Sequence, residues 1–369
     1  MNKKLLAAAV AAAVVAAPAA FAESTVYGKF HTSIDMVDME AGGASTVDNW
    51  QVNSNASRLG FKGSEDLGNG LKAVYQVEFG ISTDGGSAQT GYSACTPGVA
   101  APAGVNCGTQ RSPVNNHRNT FIGLAGDWGT FIVGRHDTPM KMAFYATGNE
   151  RLGDSIIDLN AGASGIGVFQ EVRASNAIAY VSPNFSGFTV AAAVIPGEEG
   201  VTATGTEADG LADHYSVGVM WKGMGFKVGA GYESLENQAA GGGFANPPTA
   251  PNQDQDTWQL GGSYEFGAFS VGAQYESRDD AGFVAGAEYT AWALTGKASF
   301  GNNAISLVYT DSEMENAAGT TTSDTQGWGL SAEHNFSKRT KVYAAYADGE
   351  DDTANTEDTR FSLGMIHSF

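Results

Sequence analysis

Hydrophobic and polar residues alternate along most of this chain, in segments of about 8 to 12 residues separated by turn-forming residues. In one such segment Tyr75, Val77 and Phe79 fall on one face. Gln76 and Glu78 fall on the other face. Alternation with a period of two predicts β-strands that have one apolar and one polar side.

The connections between these segments also alternate in length. Short stretches rich in Gly, Asn and Asp are predicted as turns at 64–70, 125–130, 182–187, 222–225, 265–268, 300–304 and 336–341. Longer connections are predicted near 38–50, 82–116, 136–172, 196–212, 234–256, 277–286, 311–324 and 349–357. Seven short and eight long connections join sixteen strands. The predicted fold is all-β, a 16-stranded antiparallel transmembrane β-barrel with short periplasmic turns and long extracellular loops.

The last strand runs to the end of the chain, with Phe361, Leu363 and Phe369 on its apolar face. Lipid offers no hydrogen-bond partners, so every backbone group of a membrane-spanning sheet must pair within the protein. We therefore expect the last strand to pair with the strand of Val26 on one edge and that of Val342 on the other.

Composition supports a strand-rich protein, with 49 Gly and 10% aromatic residues. After residue 22 no apolar stretch approaches the ~18 residues of a membrane helix. A secreted β-sandwich or β-helix is the alternative, and it would bury one face of each strand in a dry core. Without the two lysines before residue 23, 18 basic residues stand against 40 acidic ones, a net charge of −22. A charge of this sign argues against nucleic acid as a partner.

Residues 1–22 have the features of a secretory signal peptide. Lys3 and Lys4 precede the apolar run 5–15, and Ala20 and Ala22 supply the small residues before a cleavage site. The expected domains are a signal peptide at 1–22 and a barrel at 23–369.

Cys95 and Cys107 are the two cysteines of the chain. In an exported protein, two cysteines this close favour a disulfide. A redox pair is disfavoured because the spacing is not CxxC.

Several stretches resemble the general porins of Gram-negative bacteria. They are SRLGFKGSEDLGNGLKAVYQVE (57–78), FIGLAGDWGTFIVGRHDTP (121–139) and VRASNAIAYVSPNFSGFTV (172–190), with TVYGKF near the start and LGMIHSF at the end. The resemblance implies a homotrimer in the outer membrane. It also implies a water-filled pore in each subunit, narrowed by the third loop, here about 136–172. The family's barrel assembly machinery reads a C-terminal Phe, which implies that Phe369 is an assembly signal.

The resemblance further implies a basic ladder on the pore wall, formed by Lys29, Arg58, Arg135 and Arg173, with Lys62 beside Arg58. Alternation independently directs Lys29, Arg58 and Arg173 away from the apolar face. Arg135 shares the parity of Phe131 and Val133, so its place in the pore rests on the resemblance alone, and a β-bulge at Gly134 is one way to re-aim it.

Facing the ladder, the third loop carries Glu150, Asp154 and Asp158 in NERLGDSIIDLN. Which of these carboxylates meets the basic wall stays open, because the loop lacks the Pro-Glu-Phe-Gly-Gly stretch of enteric porins. Opposed rows of charge across a narrow wet pore admit small polar solutes and hinder apolar ones.

Three outer connections are strongly acidic and contain no Lys or Arg, namely 198–213, 311–324 and 348–358. Their carboxylates are expected to concentrate cations and to give the channel a weak cation preference. They are also candidates for binding divalent cations that bridge to lipopolysaccharide.

The chain contains no HExxH, no GxSxG and no paired histidine spacing, so we expect neither an enzyme nor a cofactor. The predicted function is passive diffusion of small hydrophilic solutes and ions. The alternatives are a channel with a preferred solute, or a barrel that acts mainly in adhesion or envelope integrity.

Overall fold

The computed structural model describes residues 23–84, 87–88, 111–112, 114–161, 165–197, 210–236 and 254–369. Its sheet contains seventeen strand segments, of which Ala44–Ser54 and Arg58–Gly68 follow one another and both pair with the first strand. Counted as one strand, they make a closed antiparallel barrel of sixteen, as the alternation predicts. The predicted signal peptide and both cysteines lie outside the described residues.

The barrel strands are β1 Glu23–Ala41, β2 Ala44–Ser54 with Arg58–Gly68, β3 Leu71–Ile81, β4 Val114–Gly126, β5 Gly129–Asp137, β6 Arg173–Val181, β7 Phe188–Ile195, β8 His214–Gly223, β9 Phe226–Glu236, β10 Asp254–Phe266, β11 Phe269–Asp279, β12 Glu288–Phe300, β13 Asn303–Glu315, β14 Thr321–Asn335, β15 Thr340–Asp351 and β16 Thr356–Ser368. Helix α1 is Pro139–Ala146, and a short 3₁₀ helix is Ala281–Phe283. A two-residue ribbon joins Ser87–Ala88 to Arg111–Ser112. No helix among the described residues is long and apolar enough to cross a membrane.

Closure of the ring takes place between the two ends of the chain. β16 pairs with β1 along one edge and with β15 along the other, as expected. Phe369 extends this pairing, because its N–H donates to the Gly28 carbonyl at 3.1 Å and its own carbonyl accepts from Gly28 N–H at 3.2 Å. The C-terminal strand therefore leaves no open edge.

The barrel is apolar outside and polar inside. In β10, Trp258 and Leu260 are 42% and 51% exposed. Gln259 between them and Thr257 just before them are buried. Phe30 and Val219 are exposed on the same outer surface. A soluble sandwich would have the opposite arrangement, so the dry-core alternative is wrong.

Aromatic side chains form a band near each end of the outer surface. Trp258 contacts Tyr275 near one end of β10, and Phe266 stacks on Phe269 at the other. Eight residues separate Trp258 from Phe266, which is ~27 Å along a strand and about 20 Å along the barrel axis after a tilt of ~40°. This spacing suits two aromatic girdles at the edges of a hydrocarbon layer.

Connections at the two ends differ in length as predicted, but some hairpins extend further than expected. The turn after β1 consists of Gly42 and Gly43 alone, so the predicted loop at 38–50 is instead a strand hairpin. Likewise β13 and β14 are joined by 316–320, and β15 and β16 by 352–355. The end of the barrel that carries these hairpins also carries the connections 82–113 and 138–172, and we call it the long-loop end. We call the opposite end the short-turn end.

Residues 138–172, called here the inserted loop, pack against the inner wall of the barrel. Phe144, Ile157 and Ile166 belong to one buried cluster that includes Ala293 of β12 and Val308 of β13. Small wall residues at these positions leave room for the larger side chains of the loop. Apolar burial therefore anchors the loop to one side of the barrel.

Helix α1 begins this packing. Pro139 occupies its first turn, and the Thr138 hydroxyl caps it by accepting from Lys141 N–H. A Cβ on Gly229 of β9 would lie 2.0 Å from the Ala143 carbonyl oxygen. The wall thus needs glycine at that position for the helix to lie so close.

Wall side chains also bond the backbone and side chains of the inserted loop. Thr310 donates to the Ile166 carbonyl at 2.8 Å, and Tyr289 donates to Val168 at 2.6 Å. Arg151 of the loop donates to the Thr295 hydroxyl at 2.8 Å. Polar positions that face the lumen on β8–β13 therefore fix the loop as well as line the channel.

Candidate pore constriction

The tip of the inserted loop meets the opposite wall at a single carboxylate. Lys29 Nζ lies 2.5 Å from Asp154 Oδ2, and Arg58 Nη2 lies 2.7 Å from the same oxygen. Lys29 and Arg58 are paired residues on β1 and β2, which places both cations at one level. Asp154 has a left-handed backbone with φ of 59°, which Asp tolerates better than most residues.

Asp154 stays ionised in this position. Burial acts to raise its pKa, but Lys29 and then Arg58 outweigh burial, and the pKa lies below its ordinary value. Of the three acids predicted to face the ladder, Asp154 is therefore the one that meets Lys29 and Arg58.

Arg118 of β4 extends the basic wall and was not predicted. Its Nε donates to Glu78 Oε1 at 2.6 Å, and Tyr27 donates to the other oxygen of Glu78 at 2.8 Å. Alternation alone directs Arg118 outward, because it shares parity with Ile122, which is exposed on the outer surface. The cause of the reversal is a register shift, described next.

The β3–β4 ladder contains a bulge on β4. Val77 pairs with Thr120 and Phe79 pairs with His117, so β4 contributes one residue more than β3 over this interval. An extra residue reverses the parity of the strand on one side of the bulge. Arg118 consequently points into the lumen.

A register shift also lies beside Arg135. The β5–β6 ladder shifts between Gly134 and His136, where β6 contributes one residue more than β5, and Gly134 has φ of 141°, outside the usual range of other residues. The extra residue therefore lies on β6, opposite Arg135, and not at Gly134 as expected, because β5 stays in regular register with β4. Arg135 donates to the Ser175 hydroxyl at 2.6 Å and to the His117 carbonyl at 2.9 Å. Among the described residues it makes no ion pair.

Arg173 lies further along the wall with its own acidic partner. Its Nη2 is 2.9 Å from Asp137 Oδ1, and its Nε donates to Asn119 at 2.7 Å. Lys141 of helix α1 bridges Asp137 and Glu171, each at 3.3 Å. This second cluster connects the basic wall to the base of the inserted loop.

Asp158 and Glu150 are placed differently from Asp154. Asp158 accepts from the Asp154 N–H and from Asn160 N–H, the second at 2.7 Å, so it holds the turn of the loop. Glu150 accepts from Leu159 N–H at 3.2 Å. Burial, followed by the nearby Glu171, raises the pKa of Asp158 to about 7. Burial, followed by Asp158, raises the pKa of Glu150 as well.

Lys62 lies apart from this group. Its register partner is Thr25, nearer the short-turn end, and its ammonium lies 4.9 Å from the centre of the Tyr27 ring. It lines a separate cavity of about 490 Å³ and makes no ion pair with a described carboxylate.

A cavity of about 800 Å³ separates the basic wall from the inserted loop. Six basic and six acidic residues line it. The basic ones are Arg58, Arg118, Arg135, Lys141, Arg173 and Arg360, and the acidic ones are Asp35, Asp84, Asp137, Asp154, Asp158 and Glu171. Polar and charged groups thus dominate the narrow part of the lumen.

Fold and site together define a membrane barrel with an apolar outer belt and a charged lumen that an inserted loop partly fills. Such an arrangement is that of an outer-membrane channel protein. A sequence model described as Gram-negative porin matches residues 7–354, and the chain belongs to that family. The protein is accordingly located in the outer membrane of a Gram-negative bacterium.

Individual relatives support the same conclusion. The chain is 28% identical to outer membrane porin protein 32 of Delftia acidovorans over 96% of this chain and 92% of that protein. It has the fold of the anion-selective porin from Comamonas acidovorans, with a TM-score of 0.68, 21% identity and coverage of 94% of this chain and all of that one. It also has the fold of the trimer form of OmpT from Vibrio cholerae, with a TM-score of 0.63, 15% identity and coverage of 94% and 99%.

Proposed function

We propose that this porin is a passive channel for small hydrophilic solutes and ions, and that its constriction lies where Lys29 and Arg58 meet Asp154. The observation that carries the proposal is this contact, because it joins the tip of the inserted loop to the opposite wall beside the charged cavity. A solute that crosses the barrel passes rows of charge of both signs. Small polar molecules form favourable contacts with these charges. Apolar molecules displace the ordered water without replacing its hydrogen bonds, so their passage is hindered.

Ion preference follows from two zones in series. Basic and acidic residues are equal in number around the cavity, so the constriction is close to balanced. Toward the long-loop end, the ranges 311–324 and 348–358 contain ten acidic residues, which we call the acidic rim. Among the described residues, Asp358 is the member of this rim that forms an ion pair, with Arg360. We infer a weak cation preference at low salt that disappears as screening shortens the reach of this acidic rim.

The homotrimer is also part of this proposal, supported by the trimer form of OmpT. The proposal also includes a signal peptide at 1–22 and a local disulfide between Cys95 and Cys107. It further includes recognition of Phe369 by the barrel assembly machinery, and contact of the acidic rim with lipopolysaccharide through divalent cations. Phe369 favours such recognition because its ring is 40% exposed on the outer surface, beside Phe30 at 5.7 Å.

Conductance of the purified protein in a planar bilayer tests the proposal. We expect ohmic current steps, and reversal potentials in a KCl gradient that indicate weak cation preference at 0.1 M and none at 1 M salt. A membrane that stays closed would favour the adhesion or envelope role. Anion preference at both salt concentrations would show that the basic wall outweighs the rim, and would overturn the selectivity part alone.

A further inference from the structure

Three carboxylates of the inserted loop converge beside the constriction. Glu150, Asp158 and Glu171 each offer an oxygen within 4.8 Å of the oxygens of the other two. Glu150 and Asp158 flank the tip of the loop, whereas Glu171 lies just before β6. The group therefore links the two limbs of the loop. We call these residues the carboxylate trio.

Two buried oxygens of the trio lack a hydrogen-bond donor. Glu171 has a side chain that is 1% exposed, and its Oε2 accepts from the Tyr145 hydroxyl at 2.7 Å and faces Lys141 Nζ at 3.3 Å. Its Oε1 is buried without a donor, and so is Oε1 of Glu150. Buried acceptors without partners are costly, and those on charged groups most of all.

The positive charge in contact with the trio is also too small to balance three ionised carboxylates. Among the described residues, Lys141 is the cation that contacts it, and Lys141 is shared with Asp137. Three carboxylates at this distance repel one another unless a proton or a cation lies between them. The unpaired oxygens of Glu150 and Glu171 are free to serve as ligands for such a cation.

We propose that the carboxylate trio binds one Ca²⁺. Calcium takes six to eight oxygen ligands in a flexible geometry, so oxygens that all lie within 4.8 Å of one another can share one ion. Magnesium is usually held by one or two carboxylates and several waters, so a set of three carboxylates favours calcium. Asp158 and Glu171 also line the cavity, so water there completes the coordination shell.

Bound calcium would have two consequences for the channel. It ties the tip of the loop to its base, which restricts movement of the loop. It also adds two positive charges beside the constriction, which shifts the ion preference of the pore toward anions. Neither the site nor its measurement depends on which solutes the channel conducts.

Terbium luminescence tests the site directly, because Tb³⁺ replaces Ca²⁺ and Tyr145 is near enough to sensitise it. In the folded, detergent-solubilised protein we expect a saturable Tb³⁺ signal that Ca²⁺ displaces. Glu171→Gln should weaken this binding about tenfold or more, since it removes a ligand charge. Glu357→Gln, which changes the same charge in the acidic rim, should leave it within about twofold. A signal that changes equally in the two variants would overturn the proposal.

Lys141→Met provides a second and opposite test. Removing the competing ammonium should tighten Ca²⁺ binding several-fold by calorimetry, whereas a trio that only shares protons would gain no calcium affinity. Each variant is first checked for the heat-modifiable band of a folded barrel on cold SDS gels. If Glu171→Gln does not fold, unchanged calcium affinity in Lys141→Met suffices to reject the site.

Discussion

Replacing Asp154 by Asn is expected to turn the constriction toward anions. The change keeps the shape of the side chain but removes the charge that Lys29 and Arg58 share. A monovalent ion that passes about 4 to 8 Å from a unit charge in water gains or loses about 0.5 to 1 kcal/mol. Potassium loses that attraction and chloride loses an equal repulsion, so their relative barriers change by about 1 to 2 kcal/mol.

This difference corresponds to a change of about 5- to 30-fold in the ratio of chloride to potassium permeability. This change in the permeability ratio is an upper limit, because salt at 0.1 M screens charges beyond ~10 Å. Stability should fall by about 1 to 3 kcal/mol, because the Lys29 and Arg58 side chains are only 19% and 21% exposed and lose the carboxylate that they share. A large loss of folded protein would therefore point to a different role for Asp154.

Reversal potentials in a low-salt KCl gradient measure the ratio. Asp352→Asn is the matched control, because it makes the same chemical change in the exposed turn between β15 and β16. We expect the control to shift the ratio by less than about twofold at 0.1 M salt. Equal shifts in the two variants, or a shift of Asp154→Asn toward cations, would refute the assignment of Asp154 to the constriction.

Three further predictions concern other parts of the site. The raised pKa of Asp158, about 7, means that its protonated form favours the packed loop, and that this contribution is lost as pH rises through 7. In calcium-free buffer, cation permeability should therefore rise between pH 6 and 8, and Asp158→Asn should abolish the change. Gly229→Val should displace helix α1 through the Ala143 carbonyl and alter the size or noise of single-channel currents. Gly296→Val, where a Cβ meets nothing within 4 Å, should not do so. Arg135→Gln should lower the chloride share of the current while changing the free energy of unfolding by less than about 1 kcal/mol, as chemical denaturation would show.

Much of the barrel was predictable because lipid and water impose opposite requirements on alternate residues of each strand. This requirement places Phe30 and Leu260 on the outer surface. It also directs Lys29 and Arg58 into the lumen. Strand ends were less predictable. Beyond the lipid both faces of a hairpin meet water, so the alternation stops at residues such as Thr321–Asp324 although β14 continues through them.

Bulges set a second limit on prediction. An irregularity near Gly134 could be foreseen, because a family resemblance placed Arg135 in the pore against its parity, but its position on β6 could not. No comparable signal marked Arg118, whose reversal depends on pairing between β3 and β4 and not on its own neighbours. The wall that receives the inserted loop was also missed, because Ala293 and Val308 are not distinguishable by sequence from other small residues that face a lumen.

The two aspartates of the inserted loop show why charge in a pore cannot be assigned by composition. Asp154 and Asp158 are four residues apart, yet the pKa of the first is lowered and that of the second is raised. Burial acts to raise both pKa values, but at Asp154 the cations Lys29 and Arg58 outweigh burial, whereas at Asp158 the carboxylate of Glu171 adds to it. The loop therefore carries a permanent charge at its tip and, next to it, a charge that protons or calcium can neutralise. A channel built this way can change its ion preference without moving the loop.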